Sequence, residues 1–248
     1  MIKLKRIVLL LAAFSKTVYC QLPNEDDLRL AKLYKVISGD YSDSTYGLAK
    51  EFKREIKKIL ENPSSFQIRF DSLSKFISIV TSIDKKLRVF SWDEMDRGSR
   101  HSIVAVAQYL SQRGAPELRF ITPENDDSDG SALMSIISKV ELLINRNGRC
   151  YLTIGWGTLG GGMQHLNLHV YKIIGRELVD CKTCFPGADQ DGYTIQWPRA
   201  YKADLKFDSI AKSISYNEYP YIDSIDSFSS KFNRATLEYK NGKYLKRK

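Results

Sequence analysis

Histidine is scarce in this chain: His101, His165 and His169 are the three it has. Leu166, Leu168 and Val170 alternate with His165, Asn167 and His169, which predicts a strand through residues 163–174. On a strand the two later histidines stand about 13 Å apart and cannot share one ion. Cysteine is nearly as sparse, with Cys20, Cys150, Cys181 and Cys184. One further cysteine and scattered histidines complete no zinc site around Cys181 and Cys184. Phe185-Pro186-Gly187 follows that pair with turn chemistry, where a redox motif would open a helix and lower the thiol pKa. We expect no metal and no cofactor.

Nucleotide signatures are missing as well. Residues 155–162, GWGTLGGG, are glycine-rich, yet no Lys-Ser or Lys-Thr follows them and no helix opens after them. A wide hairpin turn is the expected role of those glycines. Residues 125–130 copy the first half of a calcium loop through Asn125, Asp127, Asp129 and Gly130, but its twelfth position is Ile136 instead of a bidentate glutamate. That stretch and residues 189–192 read as solvated acidic turns. Internal repeats are absent too. Residues 81–93, TSIDKKLRVFSWD, resemble one hairpin of a WD-repeat blade, and no second copy recurs at a spacing of about 40–45 residues.

Long apolar runs are confined to the start. Residues 7–14 are unbroken apolar, preceded by Lys3, Lys5 and Arg6. Eight residues are too few to cross a hydrocarbon core of about 30 Å. The pattern predicts a secretory leader over residues 1–20, with Gln21 as the mature N-terminus and a rival cut after Ser15. Cys20 invites an alternative reading as the anchor of a bacterial lipoprotein, against which stands the bulky Tyr19 before it. No other segment is apolar enough to span a membrane, so the mature chain is expected in the periplasm or outside the cell. Four basic residues leave with the leader and no acids do, so the net charge of +9 falls to +5. Lys240, Lys243, Lys246, Arg247 and Lys248 crowd the tail, and without them the body is neutral. That is not the footprint of a nucleic-acid binder. Export favours a structural disulfide, expected from Cys150 to one of Cys181 and Cys184, with one thiol left over.

What is present reads as α+β: a short N-terminal helical unit over residues 21–65, then a large antiparallel β-meander sheet over 66–248, packed as one body. Asn24 with Asp26 and Asp27 caps a first helix that Gly39 stops; a second runs from about Ser44 to Leu60, ahead of Pro63. From Phe66 the apolar period becomes two, giving about ten short strands. Asn241-Gly242 between two of them is a strong hairpin signal. The polar exit of the first hairpin holds Trp92, Asp93, Arg97, Arg100 and His101 within ten residues. With Trp156 these are the candidate binding residues: arginines fork onto carboxylates or phosphates, and tryptophans offer flat contact to a saccharide or protein partner. No nucleophile elbow supports a triad. A non-enzymatic binding protein, immunity- or inhibitor-like in one form, is therefore the leading expectation. A hydrolase using His101 with Asp93 or Asp96 is the alternative.

The order of elements, with ISIVTSIDKKLRVFSWDEMDRGSRHSIVAVAQY, then CYLTIGWGT, HLNLHVYKI and ATLEYKNGKYL, resembles a family of uncharacterised exported bacterial proteins, of Bacteroidetes especially. The resemblance covers most of the mature chain. It implies class and location, and no established activity comes with it.

Mass spectrometry of the secreted chain is expected to find Gln21 at the N-terminus. A diacylated Cys20 would overturn the soluble form.

Overall fold

A computed structural model describes residues 24–39, 43–95, 101–122, 134–145, 148–187 and 192–247. The leader with Cys20, the loop residues Asp96, Arg97 and Arg100, the acidic stretch 123–130 and residues 189–191 lie outside these. Helix α1 (Glu25–Gly39) opens where expected: Asn24 Oδ1 accepts from the Asp26 N–H at 2.9 Å. Helix α2 (Asp43–Glu61) buries Ala49, Phe52, Ile56, Ile59 and Leu60 along one face and ends ahead of Pro63. Buried Asp27 of α1 accepts from the N–H groups of Ser72 and Leu73, both at 2.8 Å, and so holds the segment leading into the sheets.

Fifteen antiparallel strands follow among the described residues, divided among four sheets instead of one. The first sheet is a meander of β1 (Ser78–Thr81), β2 (Leu87–Asp93), β3 (Ile103–Leu110) and β4 (Pro116–Phe120). The second contains β5 (Ile136–Asn145), β6 (Gly148–Gly160), β7 (Met163–Ile174) and β8 (Glu177–Asp180), with β9 (Tyr193–Pro198) also on β7. In the third, β10 (Lys206–Asp208), β11 (Ser213–Glu218), β14 (Asn233–Lys240) and β15 (Lys243–Lys246) lie in that order. Short β12 (Tyr221–Ile222) and β13 (Ser227–Phe228) pair with each other. The β14–β15 turn is the expected one. Asn241 and Gly242 have φ of 52° and 84°, the primed geometry that matches strand twist.

Three apolar clusters show how the layers stack. The first joins both helices to Phe90, Trp92, Val104 and Val106 of the first sheet. On the opposite face of the same strands, Leu87, Val89, Ala105, Ala107 and Tyr109 meet Ile137, Val140, Tyr151 and Tyr171 of the second sheet. The far face of the second sheet, with Leu152, Ile154, Leu168 and Val170, meets Ile214, Tyr216, Leu237 and Tyr244 of the third. The order is helices, sheet, sheet, sheet. Both inner sheets are covered on both faces, which is why β2 and β3 are buried almost end to end instead of in alternation.

Small polar side chains let the two inner sheets approach. Ser78 and Ser91 face each other across β1 and β2. Ser91 Oγ accepts from the Ile137 N–H at 2.9 Å, and Ser78 Oγ donates to the Ile137 carbonyl at 2.6 Å. These bonds satisfy Ile137 where the β5–β6 register shifts, so the bulge leaves that backbone paired.

The expected link from Cys150 is not made. Cys181 bonds to Cys184 across a turn closed by the Cys184 N–H on the Cys181 carbonyl, with Cα atoms 5.4 Å apart. Cys150 remains a free, fully buried thiol on β6, its pKa pushed up by burial. The turn brings its own two cysteines within bonding reach, whereas Cys150 is committed to the core between the second and third sheets.

Burial raises the phenol pKa of Tyr151, Tyr171, Tyr216 and Tyr244 above the ordinary 10.0. The folded chain keeps protons that the unfolded chain releases near pH 10, so stability is full below that pH and is lost as pH climbs toward the folded values. Arg88, lowered by burial to about 10, acts in the opposite direction, one group against four. The urea midpoint is therefore expected to fall steadily above pH 10, with the part of the tyrosinate absorbance that belongs to these four buried rings appearing only as the fold is lost. Full ionisation of all 14 tyrosines near pH 10 with the fold intact would contradict this.

Candidate functional site

Asp93 is the last residue of β2 and pairs with Ile103, the first of β3. The chain between them leaves and returns at one strand end, and the Glu94 N–H on the Ser102 carbonyl at 2.8 Å closes its base. Asp93 Oδ1 accepts from the Met95 N–H at 2.9 Å, an Asx turn that leaves Met95 at φ 56°. Asp93 Oδ2 contacts His101 Nδ1. Tyr34 of α1 donates its hydroxyl to the Asp93 carbonyl at 2.9 Å, and Lys53 of α2 pairs with Glu94 at 3.2 Å. The His101 N–H reaches Thr158 Oγ1 of β6 at 3.3 Å. Helix layer, first sheet and second sheet thus all hold this edge.

The two ring nitrogens of His101 differ. With Nδ1–H donated to Asp93, Nε2 carries the lone pair, and the side chain is 39% exposed against 13% for Asp93. Such a pair can orient an imidazole for proton transfer or present it as a fixed hydrogen-bonding group to a partner. Among the described residues no cluster of three or more His, Cys, Asp or Glu side chains is placed to hold a metal ion.

Of the sequence candidates, Asp93 and His101 come together, and Arg97 and Arg100 lie outside the described residues. Trp92 does not line the edge. It is 2% exposed, with its ring edge-on to Phe52 of α2 at 5.3 Å. The β2 pleat turns it toward the helices, where burying an aromatic ring contributes roughly 2–3 kcal/mol. Trp156 is 38% exposed on β6, two residues from Thr158, so it lies about 7 Å along the strand from the contact with His101. Tyr34, Lys53 and Thr158 had no local signal. They join the edge from 59, 41 and 57 residues away in the chain, through layer packing.

The glycine-rich stretch also differs from expectation. Strand β6 continues through it to Gly160, and the turn is the tight pair Gly161-Gly162. Two of its glycines serve close approach. A Cβ on Gly155 would stand 2.6 Å from Ser135 Cβ. One on Gly157 would stand 2.2 Å from the Met134 carbonyl and 2.5 Å from the His165 ring. That space houses a buried hydrogen bond, Ser135 Oγ to His165 Nε2 at 2.9 Å. His169 bonds separately, Nδ1 to Asp180 Oδ2 at 3.0 Å. Both histidines are inside the layers, and His101 is the one on an accessible edge.

Comparison with family models, with curated proteins and with solved structures finds no match to this chain.

Gly157→Ala is expected to cost about 3 kcal/mol, because the backbone carbonyl of Met134 has to move. Gly161→Ala, with open space around it and φ of +56°, is expected to cost about 1 kcal/mol. Urea denaturation of the two variants measures the difference, and equal losses would return the stretch to a turn role.

Proposed function

We propose that this chain is an exported, non-enzymatic binding protein, working in the periplasm or at the cell surface, that meets a protein or saccharide partner at the Asp93–His101 edge. One observation carries the reading. The half-exposed imidazole of His101 is oriented by Asp93, and the His101 backbone N–H reaches Thr158 on β6, two residues from the exposed ring of Trp156, while Trp92 and Trp197 are buried. A flat apolar ring beside a hydrogen-bonding group is the pairing that sugars and protein side chains use. Export is supported by the Cys181–Cys184 disulfide, a bond that persists in oxidising compartments, and by the leader-like residues 1–20. Among the described residues no helix is long and apolar enough to cross a membrane. The order of elements supports reading the chain with the exported Bacteroidetes-type proteins that it resembles, and an immunity- or inhibitor-like role is one form of the same proposal.

A hydrolase is the second reading, favoured by one contact: Asp93 holds His101 through Nδ1 and leaves Nε2 to act as a base.

Acrylamide quenching separates the two. In the free protein Trp156 is expected to carry most of the quenchable fluorescence, and Trp156→Phe to remove it. A saccharide or protein ligand of this edge protects Trp156, and its affinity falls about tenfold or more in both Trp156→Ala and His101→Ala. A ligand that binds while Trp156 stays fully quenchable sinks the binding edge. Turnover of an ester or glycoside that is lost in His101→Ala and Asp93→Asn but kept in Trp156→Ala decides for the hydrolase.

A further inference from the structure

The opposite ends of the same strands enclose a second feature. Strand β2 runs about 20 Å from Leu87 to Asp93, and beyond its Leu87 end an open cleft of about 380 Å³ lies between the first and second sheets. Its walls are built by the chain, not by loose side chains. The Leu110 N–H bonds the Lys86 carbonyl at 2.9 Å, and the β3–β4 turn is tied to β7–β8 by Gln112, whose N–H meets the Gly175 carbonyl at 2.9 Å and whose Nε2 meets Ile173 at 3.2 Å. Three cations line it: Lys86, Arg149 and Lys172.

None of the three makes a salt bridge with the described residues. The contrast with their surroundings is informative. Arg176, on the adjoining turn, is held in bidentate fashion by Glu117 at 2.7 and 3.2 Å. Asp84 is a carboxylate that the cleft's residues bond, and its oxygens are already engaged. Ser82 Oγ donates to it at 2.7 Å, the Lys86 N–H at 3.2 Å, and the hydroxyl of Tyr151, itself a lining residue, at 3.0 Å. Three positive charges, against Asp84 and against Glu177 that pairs with the lining residue Ile174 across β7 and β8, leave the cleft with a net positive potential, which a concave low-dielectric wall concentrates.

We propose that this cleft binds a small organic molecule bearing a phosphate group. Arg149 supplies a fork for two of the phosphate oxygens, and the half-buried Lys86 and Lys172 supply point charges for the dianion. The volume belongs to small-molecule sites, about 300–1,000 Å³, and exceeds what a bare inorganic ion needs. Leu110, Ile173 and Ile174 give the apolar wall against which the body of the ligand lies. The site is separate from the Asp93–His101 edge and does not depend on its reading.

Calorimetric titration of the full mature chain with phenyl phosphate, in a phosphate-free buffer of low ionic strength, tests it. Saturable one-to-one binding is expected. The triple variant Lys86→Gln, Arg149→Gln, Lys172→Gln loses affinity about a hundredfold, and Arg149→Gln alone about tenfold. Lys243→Gln, in the third sheet, leaves it unchanged. Circular dichroism of each variant confirms the fold, and the single variant keeps the test decisive if the triple one unfolds. The proposal is overturned by absence of saturable binding to the wild type, by a folded Arg149→Gln variant that binds as tightly as the wild type, or by citrate binding more tightly than phenyl phosphate.

Discussion

The arrangement depends on one buried cation. Arg88 stands near the start of β2, 7% exposed, with its guanidinium carbon 5.5, 5.2 and 4.9 Å from the rings of Phe66, Phe70 and Phe90. It donates to the carbonyls of Ile68 at 2.6 Å and Ser65 at 3.0 Å, and to Gln108 Oε1 at 2.5 Å. Gln108, its cross-strand partner on β3, passes the network on to the Leu60 carbonyl and Ser65 Oγ. Desolvating such a charge costs several kcal/mol, and the lowering of its pKa to about 10 reports that cost. Three charge-assisted hydrogen bonds at about 1.5–3 kcal/mol each, with the aromatic faces around them, offset it. Losing any one partner leaves a buried donor of this cation unpaired. The end of α2 and the segment after it are thereby fastened to the first sheet in one register.

That fastening has a consequence for function. Once the helices cover one face of the first sheet and the second sheet covers the other, neither face can receive a ligand. The second sheet is covered in turn by the third. Ligand chemistry is displaced to the strand ends, where backbone turns leave and re-enter the layers. The Asp93–His101 edge lies at one end of β2 and the basic cleft at the other, with opposite character: an imidazole oriented by a carboxylate, and three cations that make no salt bridge among the described residues. The close approach of the inner sheets that makes this possible rests on small groups, Ser78 and Ser91 against Ile137, while the missing Cβ atoms of Gly155 and Gly157 let Met134, Ser135 and His165 close on β6 within the second sheet.

Much of the architecture was legible along the chain because it follows from rules that act over a few residues. Asn24 caps its own helix, Gly39 and Pro63 limit the two helices, and Asn241-Gly242 demands a primed turn wherever it occurs. Side-chain facing was less legible. A run such as Ile103 to Ala107 is apolar on both faces, so its period says strand without saying what lies on either side. Trp92 looked like a contact residue because it adjoins a polar loop, yet the pleat aims it at Phe52. Cys150 looked like a disulfide partner because export favours pairing among the cysteines beyond the leader, yet its strand carries it into the core and leaves Cys181 with Cys184.

By itself, the sequence determined the class of the protein: two capped helices, then antiparallel strands whose turns are written in glycine, asparagine and aspartate. It also identified Asp93 and His101 as neighbours in one short loop. Tertiary structure alone decided how the strands divide into sheets, which sheet faces which, and so which polar side chains remain at an edge. The physical reason is range. Turn and cap chemistry is settled between residues a few positions apart, whereas Tyr34 on Asp93, Thr158 on His101, or Lys86 beside Lys172 exist only when whole layers have packed.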